Sequence, residues 1–138
     1  MISLILGHKG SGKTKHLISC VNEAIESSKG NVICIEKEIK LTFDVNYRAR
    51  LIATDDFEIR GYNAFYGFLA GVCAGNHDIT DVLVDATLRI GGRDYNELAK
   101  FLEEVYELAE AQDKNFVFTV SADKEELPAS IFNFCKVI

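Results

Sequence analysis

The chain has no C-x-x-C pair, no excess of basic residues and no apolar run long enough to span a membrane. Each lack narrows what the protein can be. Cys20, Cys34, Cys73 and Cys135 fall at wide, irregular intervals inside apolar stretches, which argues against a zinc or disulfide framework and fits reduced core thiols of a cytoplasmic protein. With 15 Lys and Arg against 21 Asp and Glu, the formal net charge of −6 disfavours a protein that coats nucleic acid or an anionic membrane, since both reward clustered cations. The longest apolar run, Ala64 to Ala74, is well short of the ~20 residues of a membrane span. The opening run Ile2 to Leu6 meets His8 and Lys9 at once, too soon for the hydrophobic region of a signal peptide.

What remains is a chain of 138 residues with 48% hydrophobic content, enough for a single domain, 1–138, to bury a core without metal or disulfide. Met1 to Leu6 is β-prone and apolar throughout, as in a strand covered on both faces, and runs into a glycine-rich turn. From Lys13 to Ser28, Leu17, Ile18, Val21, Ala24 and Ile25 recur at the 3–4 spacing of one helical stripe, with Lys29-Gly30 as the stop. Further strands are expected at Asn31–Ile35, Asp81–Asp85 and Phe116–Ser121, with edge strands at Leu41–Phe43 and Arg50–Thr54 and a last one at Cys135–Ile138 after a helical turn around Pro128. Gly61 to Gly75 reads as a helix apolar nearly all round, whose Gly67, Gly71 and Gly75 are expected to pack tightly on the sheet, a helix of a partner or second copy being the other reading. After a loop containing Gly91-Gly92, Asp94 and Glu97 form a capping box for a helix to about Gln112. Leu98, Phe101, Leu102, Val105, Leu108 and Ala109 are its buried stripe, and Glu103, Glu104, Glu107 and Glu110 its solvated face. Strands alternating with helices give an α/β class with a mostly parallel sheet of about five strands and helices on both faces.

The stretch Gly7-His8-Lys9-Gly10-Ser11-Gly12-Lys13-Thr14 fits G-x-x-x-x-G-K-[ST] at every fixed position, between a buried strand and a helix. Glycines let such a loop turn successive N–H groups onto an anion, and the helix that follows aims its positive end at the same place. In that pattern Lys13 reaches the β- and γ-phosphates and Thr14 offers its hydroxyl to Mg²⁺. His8, Lys9 and Ser11 occupy the free positions of the loop, and Lys15 follows it; all four join the candidate phosphate-binding set. A second anionic group at a neighbouring strand end is needed for the metal, and Asp85, closing DVLVD, is that group.

These two elements resemble the Walker A and Walker B motifs of the P-loop NTPase superfamily. The resemblance implies the three-layer fold of that superfamily, nucleotide binding by Gly7, Gly10, Gly12, Lys13 and Thr14, and Mg²⁺ assisted by Asp85. The order of elements is similar to the RecA-like branch, where a polar residue on the strand after Walker B senses the γ-phosphate; Thr119 and Ser121 match that place. Hydrolysing members usually carry Glu directly after the Walker B Asp, whereas here Ala86 stands. Glu36, at the tip of the second strand, is an alternative carboxylate but reads first as a surface charge. Arg89 and Arg93 flank Gly91-Gly92 on the same sheet edge, placed to neutralise a transferring phosphate in their own subunit or a neighbour's. The chain has no N-K-x-D segment, so ATP is expected in preference to GTP. Lys37, Lys40, Arg48 and Arg50, interleaved with Phe43 and Tyr47, read as a solvated edge diluted by Glu36, Glu38 and Asp44. Three functions stay open, in this order: a small ATPase completed by a protein partner or by self-association, a module switched by ATP occupancy without turnover, and a small-molecule kinase.

Overall fold

The computed structural model describes residues 1–138. In chain order it has β1 (Ile2–Leu6), α1 (Lys13–Ser27), β2 (Asn31–Glu36), β3 (Arg50–Ala53), α2 (Tyr62–Gly75), β4 (Ile79–Val84), α3 (Thr87–Gly91), α4 (Tyr95–Gln112), β5 (Asn115–Val120) and β6 (Cys135–Val137). Short 3₁₀ turns occupy Thr54–Phe57, Lys124–Glu126 and Ala129–Asn133. The six strands form one sheet in the order β3-β2-β4-β5-β1-β6. Every pairing is parallel, so the sheet is wholly parallel and one strand larger than expected.

Because strand side chains alternate faces, odd and even positions sort into two cores. Ile33 and Ile35 of β2, Val82 and Val84 of β4, and Phe116 and Phe118 of β5 face the larger core with α2 and α4. Val32 and Cys34, Leu83 and Ile5 face the smaller one, under Leu17, Val21 and Ile25 of α1. The result is a three-layer α/β fold. Phe101 of α4 is central to the larger core, its ring 4.9 Å from Phe65, 5.0 Å from Tyr62 and 5.7 Å from Phe118 by centroids. Asp94 caps α4 by accepting from the N–H groups of Asn96 and Glu97 at 2.9 and 3.1 Å. Leu108, placed in the buried stripe by its spacing, is only half-buried.

Three expectations fail for physical reasons. Leu41–Phe43 is not a strand: the N–H groups of Asp44 and Val45 both donate to the Leu41 carbonyl, at 3.0 and 3.1 Å, closing a turn. Leu41, Val45 and Ala49 then tuck against α1, and Asn22 of that helix accepts from the Asn46 N–H at 2.8 Å. The four-residue spacing of these apolar anchors serves a folded-back segment and not a pleat. Secondly, Gly67, Gly71 and Gly75 are exposed on α2 and have open space where a Cβ would stand, so they pack tightly on nothing in this chain. Thirdly, the residues before Gly92 form α3 instead of a loop. Here the need for a small residue is steric: a Cβ on Gly91 would come within 2.1 Å of the Tyr62 ring, whose hydroxyl donates to the Gly92 carbonyl at 2.7 Å. No helix is long and apolar enough to cross a membrane.

Candidate functional site

The carboxyl ends of the central strands converge on a cleft of about 870 Å³. In parallel α/β sheets this edge is where ligands bind, because the loops there diverge between helices on opposite faces. The loop after β1 contributes His8, Lys9, Gly10 and Gly12, and the first turn of α1 contributes Lys13, Thr14 and Lys15. Asp85 and Ala86 follow β4, Arg89 belongs to α3, and Arg93 comes just after it. Thr119 and Ser121 come from the end of β5. Gly7 and Ser11, placed in the same set by the motif, support the loop without lining the cleft.

Three glycines with positive φ, Gly7, Gly10 and Gly12, make the loop possible. Gly12 begins α1 at φ 88°, ψ 18°, a left-handed conformation that L residues rarely adopt. Gly7 has φ +142°, and a Cβ there would lie 2.4 Å from Ser11 Oγ, so a side chain would fill the hollow of the turn. The Gly7 N–H donates to the Ala122 carbonyl at 3.0 Å, tying the loop's first residue to the end of β5. Lys13 Nζ donates to the His8 carbonyl at 3.0 Å and so bridges the loop it follows. His8 itself turns away: its Nε2 lies 2.5 Å from Glu126 Oε1 and 3.3 Å from Asp123 Oδ2, linking the loop to the connection before β6. The Glu126 carboxyl is held below its ordinary range, first by the Asp123 N–H and then by His8.

Facing the loop, Asp85 is held at both oxygens. Thr14 Oγ1 donates to Oδ2 at 3.1 Å, and Thr119 Oγ1 donates to Oδ1 at 2.7 Å. The Asp85 N–H also continues the sheet, donating to the Ile35 carbonyl at 2.9 Å. Strand parity explains the convergence: Cys34 and Leu83 face α1, so Glu36 and Asp85, two positions on, face it too.

Glu36 departs from its reading as a surface charge, being only 4% exposed. Its Oε1 accepts from the Lys40 N–H at 3.1 Å, while Oε2 is buried with no partner. Both Glu36 and Lys40 line the cleft. Burial pushes the Glu36 carboxyl above its ordinary range and Asp85 adds to this, against the opposing pull of the Lys40 and Leu41 backbone amides. Sequence reasoning had one signal for it, the same strand parity that carries Asp85 to the α1 face. The cleft therefore gathers Lys9, Lys13, Lys15, Lys40, Arg89 and Arg93 against two carboxylates, a cationic hollow in a chain of net charge −6.

Of the interleaved basic and aromatic residues, Lys37 pairs with Asp55 at 2.8 Å and Arg48 with Glu26 at 3.4 Å. Phe43 and Tyr47 project into solvent. Cys34, behind Glu36, has its thiol pushed up to about 12, chiefly by burial and then by Glu36 and Asp85, so it is no nucleophile at neutral pH.

The residue types fit a Mg²⁺ nucleotide. Hard oxygen donors stand at Thr14 and Asp85, cations surround the cleft, and the hollow at Gly7 is closed to any side chain. No protein-family model matches the chain, and no curated protein matches it in sequence.

Proposed function

We propose that the cleft binds a nucleoside triphosphate with Mg²⁺, ATP in preference to GTP, and that the chain is a small ATPase of the P-loop NTPase superfamily. One observation carries this reading: Thr14, at the start of α1, and Asp85, at the end of β4, meet at 3.1 Å across a cationic cleft. Two residues 71 positions apart in the chain would thus supply the oxygen pair that a phosphate-bound Mg²⁺ requires. In this reading the loop amides and the positive end of α1 receive phosphate oxygens. Lys13 exchanges the His8 carbonyl for phosphate, and Thr14 and Asp85 hold the metal, Asp85 through its water shell. Bound there, Mg²⁺ would neutralise phosphate charge.

Glu36 supports turnover. Its free Oε2 is the one buried carboxylate oxygen in the cleft without a partner. It would accept the proton of the water whose oxygen attacks the terminal phosphorus, while the bond from that phosphorus to the bridging oxygen breaks and ADP leaves. Arg89 and Arg93, exposed and free of carboxylate partners, would meet charge on the departing phosphoryl group. The second reading, a module switched by occupancy alone, is favoured by Ala86, since no carboxylate follows Asp85.

Titration calorimetry with Mg-ATP tests the binding claim. The wild-type protein should bind, Lys13→Ala should lose measurable affinity, and undiminished binding in that variant would remove the phosphate assignment. Phosphate release that stays at background with wild-type protein, alone and at high concentration, would favour the switched module over the ATPase.

A further inference from the structure

We propose that Thr119 is a positioning residue, one hydroxyl that sets both the Asp85 carboxylate and the turn leading into α3, and not the phosphate sensor that its place on β5 suggests. The inference rests on reading Asp85 as the metal-assisting carboxylate. A threonine hydroxyl has one proton to give, and here it is given to Asp85 Oδ1 at 2.7 Å. Thr119 Oγ1 in turn accepts the Ala86 N–H, also at 2.7 Å. Thr119 is 1% exposed, so its hydroxyl is shielded from solvent, and its single proton is already given. A phosphate oxygen accepts hydrogen bonds and has nothing to take from it.

Two consequences follow. With Oδ1 fixed by Thr119, the carboxylate plane is set and Oδ2 is presented to Thr14. Ala86 meanwhile adopts φ 55°, ψ 50°, a left-handed conformation that disfavours a residue with a Cβ, and its N–H is held by Thr119. That residue starts α3, which carries Arg89. Thr119 thus couples the position of the metal-assisting carboxylate to the approach of an arginine on the same cleft. A phosphate contact from this strand end is left to Ser121, half-buried on the cleft wall.

The test compares wild type with Thr119→Val, which keeps shape and removes both hydrogen bonds, and Thr119→Ser, which keeps the hydroxyl. Mn²⁺ affinity of the ATP-loaded protein, read by electron paramagnetic resonance, should weaken about 10- to 100-fold in T119V and recover in T119S. ATP affinity in EDTA should be equal in all three. Hydrogen exchange at the Ala86 amide, measured without nucleotide, should quicken in T119V and recover in T119S. Unchanged Mn²⁺ affinity and unchanged Ala86 exchange in T119V would overturn the inference. So would unchanged Mn²⁺ affinity with slowed phosphate release, the signature of a sensor. A wild-type protein that binds no ATP would instead overturn the reading of the cleft and with it the metal half of this inference. The Ala86 exchange would then still decide the turn half.

Discussion

Two strand ends on the same face of the sheet carry carboxylates into one cleft, and they are built in opposite ways. At the end of β4, Asp85 is half-buried with both oxygens bonded by hydroxyls. At the end of β2, Glu36 is more deeply buried with one oxygen bonded and the other bare. A fully engaged carboxylate is held still at little cost. A buried one without a partner carries an uncompensated desolvation penalty, and folds retain such groups where chemistry needs them. On the proposed reading, the fixed carboxylate would serve holding and the unsatisfied one proton transfer.

The sharpest way to break that division is to neutralise each group without changing its shape. Glu36→Gln should slow phosphate release by about 10²- to 10⁴-fold, the range for removing a general base, with Mg-ATP affinity nearly unchanged. Asp85→Asn should act the other way round, weakening Mg²⁺-dependent ATP affinity by about 10- to 100-fold. Calorimetry beside single-turnover phosphate release separates the two. Were E36Q to hydrolyse ATP at the wild-type rate, the bare oxygen would lose its role.

The next effect is on pH dependence. The Glu36 carboxyl sits above its ordinary value of 4.5. The proposed base must be ionised to accept a proton, so turnover should fall on acidification through a pKa above 4.5, and E36Q should lose that limb. Stability runs in the opposite sense. Between the ordinary value and the raised native one, the folded state holds a proton that the unfolded state has released, so wild-type stability falls as pH rises through that interval and is then flat. Urea denaturation across this range should show the decline in wild type and not in E36Q, which should be the more stable protein at neutral pH. A decline that persists in E36Q would place its origin elsewhere.

The two ends also differ in how far the sequence disclosed them. The glycine-rich loop and Asp85 were legible because a local motif fixes backbone shape at Gly7 and Gly12, and because an apolar strand ending in Asp has few places to go. The α/β class followed from alternating strands and helices, and the sheet's extra strand and full parallelism add to it without altering the layers. Glu36 was misread because its burial is not local. It is enclosed when the segment after β2 folds back, bringing Leu41, Val45 and Ala49 onto α1 and the Lys40 N–H onto Glu36. That segment offered apolar residues at a spacing readable as a short strand, which gives no sign of the fold-back. The expectation that Gly67, Gly71 and Gly75 pack on the sheet failed for the converse reason, since small residues on one stripe need not meet a neighbour within their own chain.

The smallest expected effect concerns the turn beside Asp85. Ala86 is left-handed, which costs a residue with a Cβ about 1–2 kcal/mol, and glycine would remove that cost. Glycine also adds freedom to the unfolded chain, which takes back about 0.4–1 kcal/mol. The balance leaves Ala86→Gly more stable than wild type by about 0–1.6 kcal/mol in urea denaturation. At the β2 end nothing comparable exists, since Glu36 and its neighbours have no positive φ. If A86G gains stability but weakens Mg²⁺-dependent ATP binding, the strained alanine is there to hold α3 and Asp85 in place. Equal metal affinity in A86G and wild type would mean that the Thr119 hydrogen bonds fix the carboxylate without help from the turn.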